Sequence, residues 1–219
     1  MRILISLAAT TLLASPLFAA PMTVSDANSD FTVTYDTNDA GVYGTVFLSN
    51  NTIFFLPDAF LAESSNGGVS TLAESITLTL TAVTPGFSFD TFLLNADGDY
   101  YVNGPTSSVS ADGLMDVSAG AGSFQAGFNF SDNVDGGPTT QQWAESAILD
   151  STSGWGGSDT SVTLILSNTL SAISDQLGDS AFIQKKFEGV SVSVNAVPLP
   201  AGVWLLLSAL VGVAGLRRR

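Results

Sequence analysis

Ser75-Ile76-Thr77-Leu78-Thr79-Leu80-Thr81 is the stretch on which the fold turns. Aliphatic residues at 76, 78 and 80 alternate with threonines at 77, 79 and 81. A period of two sends the two kinds of side chain to opposite faces of an extended chain, whereas a helix would scatter them around its axis. Branched threonines on one face and aliphatics on the other describe a half-buried strand, which runs on to Val83. Pro85-Gly86 then makes a turn, and Phe87, Phe89, Thr91 and Leu93 take up the alternation on the next strand.

The pattern recurs in both directions. Upstream, Phe31, Val33 and Tyr35 share one face, and Val42 to Leu48 and Thr52 to Leu56 form a hairpin about Ser49-Asn50-Asn51. Downstream, Asp97-Gly98-Asp99 reads as a turn leading into Tyr100 to Val102. Phe124, Ala126, Phe128 and Phe130 alternate up to a loop from Asp132 to Pro138. Val162, Leu164 and Leu166 mark another strand, and Phe182 to Phe187 and Val190 to Val194 complete the set. Trp143 to Leu149 and Leu170 to Leu177 fit either a strand or a short helix, the first better as a strand. No heptad and no longer repeat interrupts this. Many short strands at regular spacing predict an all-β fold, a single β-sandwich of jelly-roll kind, with a closed barrel as the alternative. Outward faces of Thr, Ser and Asp argue against a lipid-facing outer-membrane barrel.

The acidic residues narrow the chemistry. All 20 lie between Asp26 and Glu188, where Lys185 and Lys186 are the two cations, so residues 20–196 carry a net charge of −18. Such a surface repels nucleic acid. Histidine and cysteine are absent, which removes disulfides, the usual zinc sites, Ser-His-Asp triads and Cys-His dyads. Asn95 followed by Asp97-Gly98-Asp99 resembles the start of an EF-hand loop. It fails at the sixth position, Tyr100 where glycine is needed, and at the twelfth, Thr106 where glutamate is needed. Calcium held between loops by Asp97, Asp99, Asp132 and Asp135 stays open, but turn chemistry is the preferred reading, with no cofactor expected. Trp143, Trp155, Tyr100 and Tyr101 are the candidates for stacking on sugar rings, against the ordinary alternative that they fill a core. Glu145 beside Trp143 is the one acid that suggests glycoside chemistry, and no enzyme is expected from it. Lys185-Lys186 reads as a solvated strand face.

The two ends are targeting segments. Arg2, the apolar run Ile3 to Leu13 and the small residues before Ala19 and Ala20 have the layout of a signal peptide, residues 1–19, cut after Ala19. Residues 197–219 comprise Val197-Pro198-Leu199-Pro200-Ala201, an apolar run to Leu216 with Trp204 near its entry, and Arg217-Arg218-Arg219. An uncharged run of this length spans about 30 Å as a helix, roughly one bilayer core, and the arginines hold its end in the cytoplasm. The expectation is an ectodomain, residues 20–196, tethered by one transmembrane helix.

This tail resembles the VPLPA-type C-terminal sorting domain, a variant of the PEP-CTERM signals of Gram-negative bacteria. The resemblance covers about the last tenth of the chain and rests on the pentapeptide, the apolar helix and the basic end. It differs from LPxTG signals, because Leu199-Pro200-Ala201-Gly202 lacks their threonine-glycine pair. It implies a precursor held in the inner membrane facing the periplasm. Signal peptidase and an exosortase-like membrane protease would process it, and it would then pass to the cell surface or extracellular matrix, with exopolysaccharide as a partner. Two other roles stand beside that surface-protein role: a carbohydrate- or calcium-dependent adhesion module, and, last, a carboxylate-based polysaccharide-active enzyme.

Overall fold

The computed structural model describes residues 21–57, 59–84, 86–120, 122–155 and 159–198. The signal segment with Ala19 and Ala20, and the tail from Leu199 through Pro200 and Ala201 to Arg217, Arg218 and Arg219, lie outside the described residues. The alternating stretch sits in β6 (Val69–Ala82), with Ile76, Leu78 and Leu80 buried and the threonines exposed. Its sheet runs β1 (Pro21–Val24), β2 (Phe31–Asp36), β6, β11 (Ser161–Ile173), β8 (Ser108–Ala119) and β9 (Gly122–Asp132). The second sheet runs β10 (Gln141–Leu149), β7 (Phe87–Asn103), β12 (Ser180–Pro198), β4 (Thr52–Leu56) and β3 (Thr45–Ser49), with β5 (Leu61–Ser65) pairing the start of β12. Each strand ladder is antiparallel.

The two sheets form a sandwich, since each has one apolar face to bury. Aromatic side chains join them across the core. Phe31 of the first sheet meets Phe89 of the second edge-on at 5.7 Å, and Trp155 is held between Phe92 at 5.5 Å and Phe124 at 5.7 Å. Tyr43, in a single 3-10 turn at Gly41–Tyr43, donates from its hydroxyl to Leu166 O at 3.0 Å and accepts from Asn168 Nδ2 at 2.6 Å.

Several local expectations hold and others need correction. Asn50 and Asn51 adopt positive φ of 47° and 62°, as a tight hairpin between β3 and β4 demands. Val42, by contrast, belongs to the 3-10 turn, and β3 starts only at Thr45. Trp143 to Leu149 is strand, and Leu170 to Ile173 extends β11. Asp97-Gly98-Asp99 is not a turn; it lies inside the 17-residue strand β7. Glycine is there because a Cβ at Gly98 would collide with Gln184 O and with Trp143 Nε1. The alternation expected from Phe87 through Leu93 also breaks. Thr91 pairs Asn195 while Phe89 pairs Ala196, so Asp90 is an extra residue that flips the phase. Phe92 and Leu94 therefore face the core, and Leu93 faces outward. β12 continues through Val197 and Pro198, which pair Ser88 and Phe87, so the first two residues of the tail motif belong to the sheet. No helix among the described residues is long and apolar enough to cross a membrane.

Candidate functional site

The aromatic candidates divide according to strand phase. Trp143 and Trp155 are each 3% exposed, and Tyr100 is 5% exposed. Their polar atoms are satisfied from inside the molecule. Trp143 Nε1 donates to Gln184 O at 3.2 Å, and Trp155 Nε1 donates to Phe89 O at 2.9 Å. The Tyr100 hydroxyl donates to Asp132 Oδ2 at 2.6 Å, with Gln141 Oε1 at 3.2 Å. None of the three can offer a ring face to a sugar, so the core alternative holds for them. Tyr101, one residue on, points outward because neighbours on a strand alternate. It meets Phe182 of β12 edge-on, with centroids 4.6 Å apart and both rings half-buried.

That pair belongs to the outward face of β10, β7 and β12. Tyr101 stands opposite Phe182, and the next outward row is Gln142–Asp99–Gln184, in register across the three strands. Lys186 Nζ reaches Asp99 Oδ1 at 3.1 Å. Beyond lie Asp97, then Asn95 with Ser146 and Ser191 on either side, the rows being about 7 Å apart along the strand. A shallow depression of about 310 Å³ opens beside Asn95, Asp97, Ala144, Glu145 and Ser146. Further across, Phe54 of β4 pairs Ser191 and stacks on Phe47 of β3 at 5.0 Å with an interplanar angle of 13°. Aromatic pairs thus flank a strip of amides, carboxylates and hydroxyls.

The carboxylates proposed for calcium are not gathered. Asp97 and Asp99 project from consecutive outward positions of β7. Asp132 takes up the Tyr100 hydroxyl and the Val134 amide, and Asp135 takes up the Gly104 and Gly137 amides. Burial pushes the Asp132 carboxyl up, but the Tyr100 hydroxyl and the Val134 and Asn133 amides outweigh it and hold the carboxyl below its ordinary value. The Gly104 and Gly137 amides lower Asp135 in the same way. Burial, then the bond to Asp132, pushes Tyr100 up to about 12. No group of three or more acidic side chains able to hold a metal ion occurs among the described residues. Glu145 takes the core-side phase of β10 between Trp143 and Ala147, whereas Asp97 takes the outward phase of β7.

One residue was misjudged from its neighbourhood. Lys185 is 6% exposed, not solvated, and its Nζ has no hydrogen-bond partner. It faces the rings of Trp143 at 5.0 Å, Phe128 at 5.5 Å and Phe60 at 5.6 Å. Burial pulls its amine down to about 7, against a smaller opposing pull from Asp97. The signal was in the sequence: two consecutive lysines on a strand point to opposite faces, so one must face inward. Phe182, Gln142 and Gln184 were missed for a different reason, since only strand register brings them beside Tyr101 and Asp99.

No described protein family matches the chain, and no curated protein does. Among solved structures it is similar to one from work on the promiscuous specificity of the carbohydrate-binding modules of the beta-sandwich superfamily. The likeness covers 82% of this chain and 97% of the other, at 6% identity and a TM-score of 0.25. A likeness that low carries no argument about this chain.

Proposed function

We propose that this chain is an exported, surface-tethered, non-enzymatic β-sandwich that binds a neutral polysaccharide on the outward face of β7, β10 and β12. The Tyr101–Phe182 pair in register with the Gln142–Asp99–Gln184 row carries this reading. Aromatic edges supply apolar contact to a pyranose ring, while amides and a carboxylate supply both donors and acceptors for its hydroxyls. The net charge of −18 sets uronate-rich polymers aside. Export and tethering rest on the signal-peptide layout of residues 1–19 and on the tail from Val197 onward, with signal peptidase and an exosortase-like protease as the processing partners.

The test is binding of the purified chain to a panel of neutral and acidic polysaccharides, with Tyr101→Ala and Phe182→Ala beside the wild type. Each substitution is expected to weaken binding about 10-fold or more, corresponding to about 1.4 kcal/mol or above. Binding that survives both substitutions removes this face from consideration. Burial of Trp143 and Trp155 favours a second reading, a matrix or surface scaffold with no ligand. Absence of binding across the whole panel would support it. Mass spectrometry of the mature C-terminus tests the processing separately.

A further inference from the structure

A buried amine with no acceptor lies next to a break in the β7–β12 ladder. Lys185 pairs Gly98, and the next pair is Val190 with Ala96, so residues 186–189 stand opposite Asp97 alone. The bulge is tightly folded over that residue: a Cβ on Gly189 would lie 2.5 Å from Asp97 O and 2.6 Å from Lys186 N. The rings caging Lys185 Nζ come from β9 of one sheet (Phe128), β10 of the other (Trp143) and the segment before β5 (Phe60). An uncharged amine is tolerable in such a cage. An ammonium without an acceptor costs several kcal/mol there, and the aromatic faces offset only part of that.

We propose that Lys185, its cage and the β12 bulge form a protonation-driven latch: charging the amine expels it through the bulge and loosens residues 184–189. The bulge is the natural exit because the β7–β12 register is already broken there, and a bulge locally disrupts its ladder; the Lys185 N–H bond to Phe60 O is one that opening must break. Gln184 and Lys186 lie on the segment that moves. The Lys186–Asp99 pair and the polar row would therefore be lost together as pH falls.

The charged groups around the latch set its balance. Asp97 on β7 favours the charged amine. Asp99 is engaged by Lys186, and Asp132 on β9 by Tyr100. Glu145 shares the core-side phase of β10 two residues past Trp143, and Glu63 on β5 stands opposite Phe182. The consequence for a bound polysaccharide rests on the function proposed above; the latch itself does not.

The chain has two lysines, so lysine side-chain NMR resolves both in the full-length protein. Lys185 is expected to titrate near neutrality. Amide protection at Gly98, Lys186 and Gly189 should fall at least tenfold as pH drops through the same midpoint. Lys185→Met should abolish that fall, and Asp97→Asn should move the midpoint to lower pH, since the carboxylate favours the charged form. Lys185 titrating alongside Lys186 in the ordinary lysine range would overturn the latch. So would an amide response that persists in Lys185→Met. Polysaccharide binding is read in a separate arm, so its failure bears on the binding face alone.

Discussion

Replacing Lys185 with methionine should stabilise this protein, although it removes one of the two cations of the folded domain. Methionine follows the lysine stem as far as Cε, with sulfur at the δ position, so it keeps an apolar chain beside the rings of Trp143, Phe128 and Phe60 and removes only the amine that sits among them. In the folded state the amine falls from an ordinary 10.5 to about 7, which corresponds to about 5 kcal/mol against the charged form. Below both values the whole of this cost falls on the folded wild type, so a gain of up to about 5 kcal/mol is expected at pH 6. The sign follows from proton binding. Between about 7 and 10.5 the unfolded chain holds a proton that the folded chain has lost, so wild-type stability rises with pH across that window and is flat on either side. The advantage of methionine should narrow to about 2 kcal/mol at pH 9 and lose its charge component by about 10.5. Tyr100 acts in the opposite direction above pH 10, where the unfolded phenol ionises first, but it does so equally in both proteins and cancels. Urea denaturation of both proteins at pH 6, 7, 8 and 9 measures the difference, and at pH 6 the melting temperature should rise on the order of 10 °C. Methionine that destabilises at every pH, or a gain that does not change with pH, would refute the argument, because the first result means that the amine has a partner and the second that its proton is held equally in the folded and unfolded chains.

Gly98→Ala should cost 3 kcal/mol or more, roughly the price of forcing a side chain into a packed ladder, because its methyl would collide with Gln184 O and Trp143 Nε1. A wild-type melting temperature would mean that β7 and β12 do not approach so closely. Tyr100→Phe should lose about 1 to 2 kcal/mol at pH 7. Asp132 is held below its ordinary value, so its contribution is present above the unfolded value and disappears as pH falls through the folded one. Urea melts should therefore converge near pH 2, and an equal loss at pH 7 and pH 2 would exclude the Asp132 contact as the cause. Millimolar calcium and magnesium should raise the melting temperature slightly and to the same extent, by screening the −18 charge. A calcium-selective rise lost in Asp97→Ala, followed by scanning fluorimetry, would restore the metal site.

How far the sequence carries depends on whether a feature is local. Periodicity of two is imposed by the backbone itself, so the all-β class, the buried sets of β2 and β6 and the core-side phase of β9 could be read directly, as could the Asn50-Asn51 hairpin. β8 escaped notice because its inward series, Val109, Ala111, Gly113, Met115 and Val117, is broken by glycine. A Cβ on Gly113 would collide with the ring of Phe128 on the paired strand β9. The buried partner of the Lys185-Lys186 pair was also implied by alternation, but not which of the two it was.

The rest depended on partners distant in sequence. Asp-Gly-Asp has the composition of a turn, and only the indole of Trp143 packed over Gly98 explains why it runs straight. Bulges opposite Asp97 and at Asp90 reset which side chains face inward, and no local pattern announces them. Trp143 and Trp155 could not be assigned to core or surface until strand phase and sheet pairing were known. Register then placed Phe182 and Gln184 beside Tyr101 and Asp99, across about 80 residues of chain. By itself the sequence determined that the chain must alternate and bury one face. Tertiary structure decided which residues met, because pairing between distant strands is settled by whole-face packing and not by the residues next along the chain.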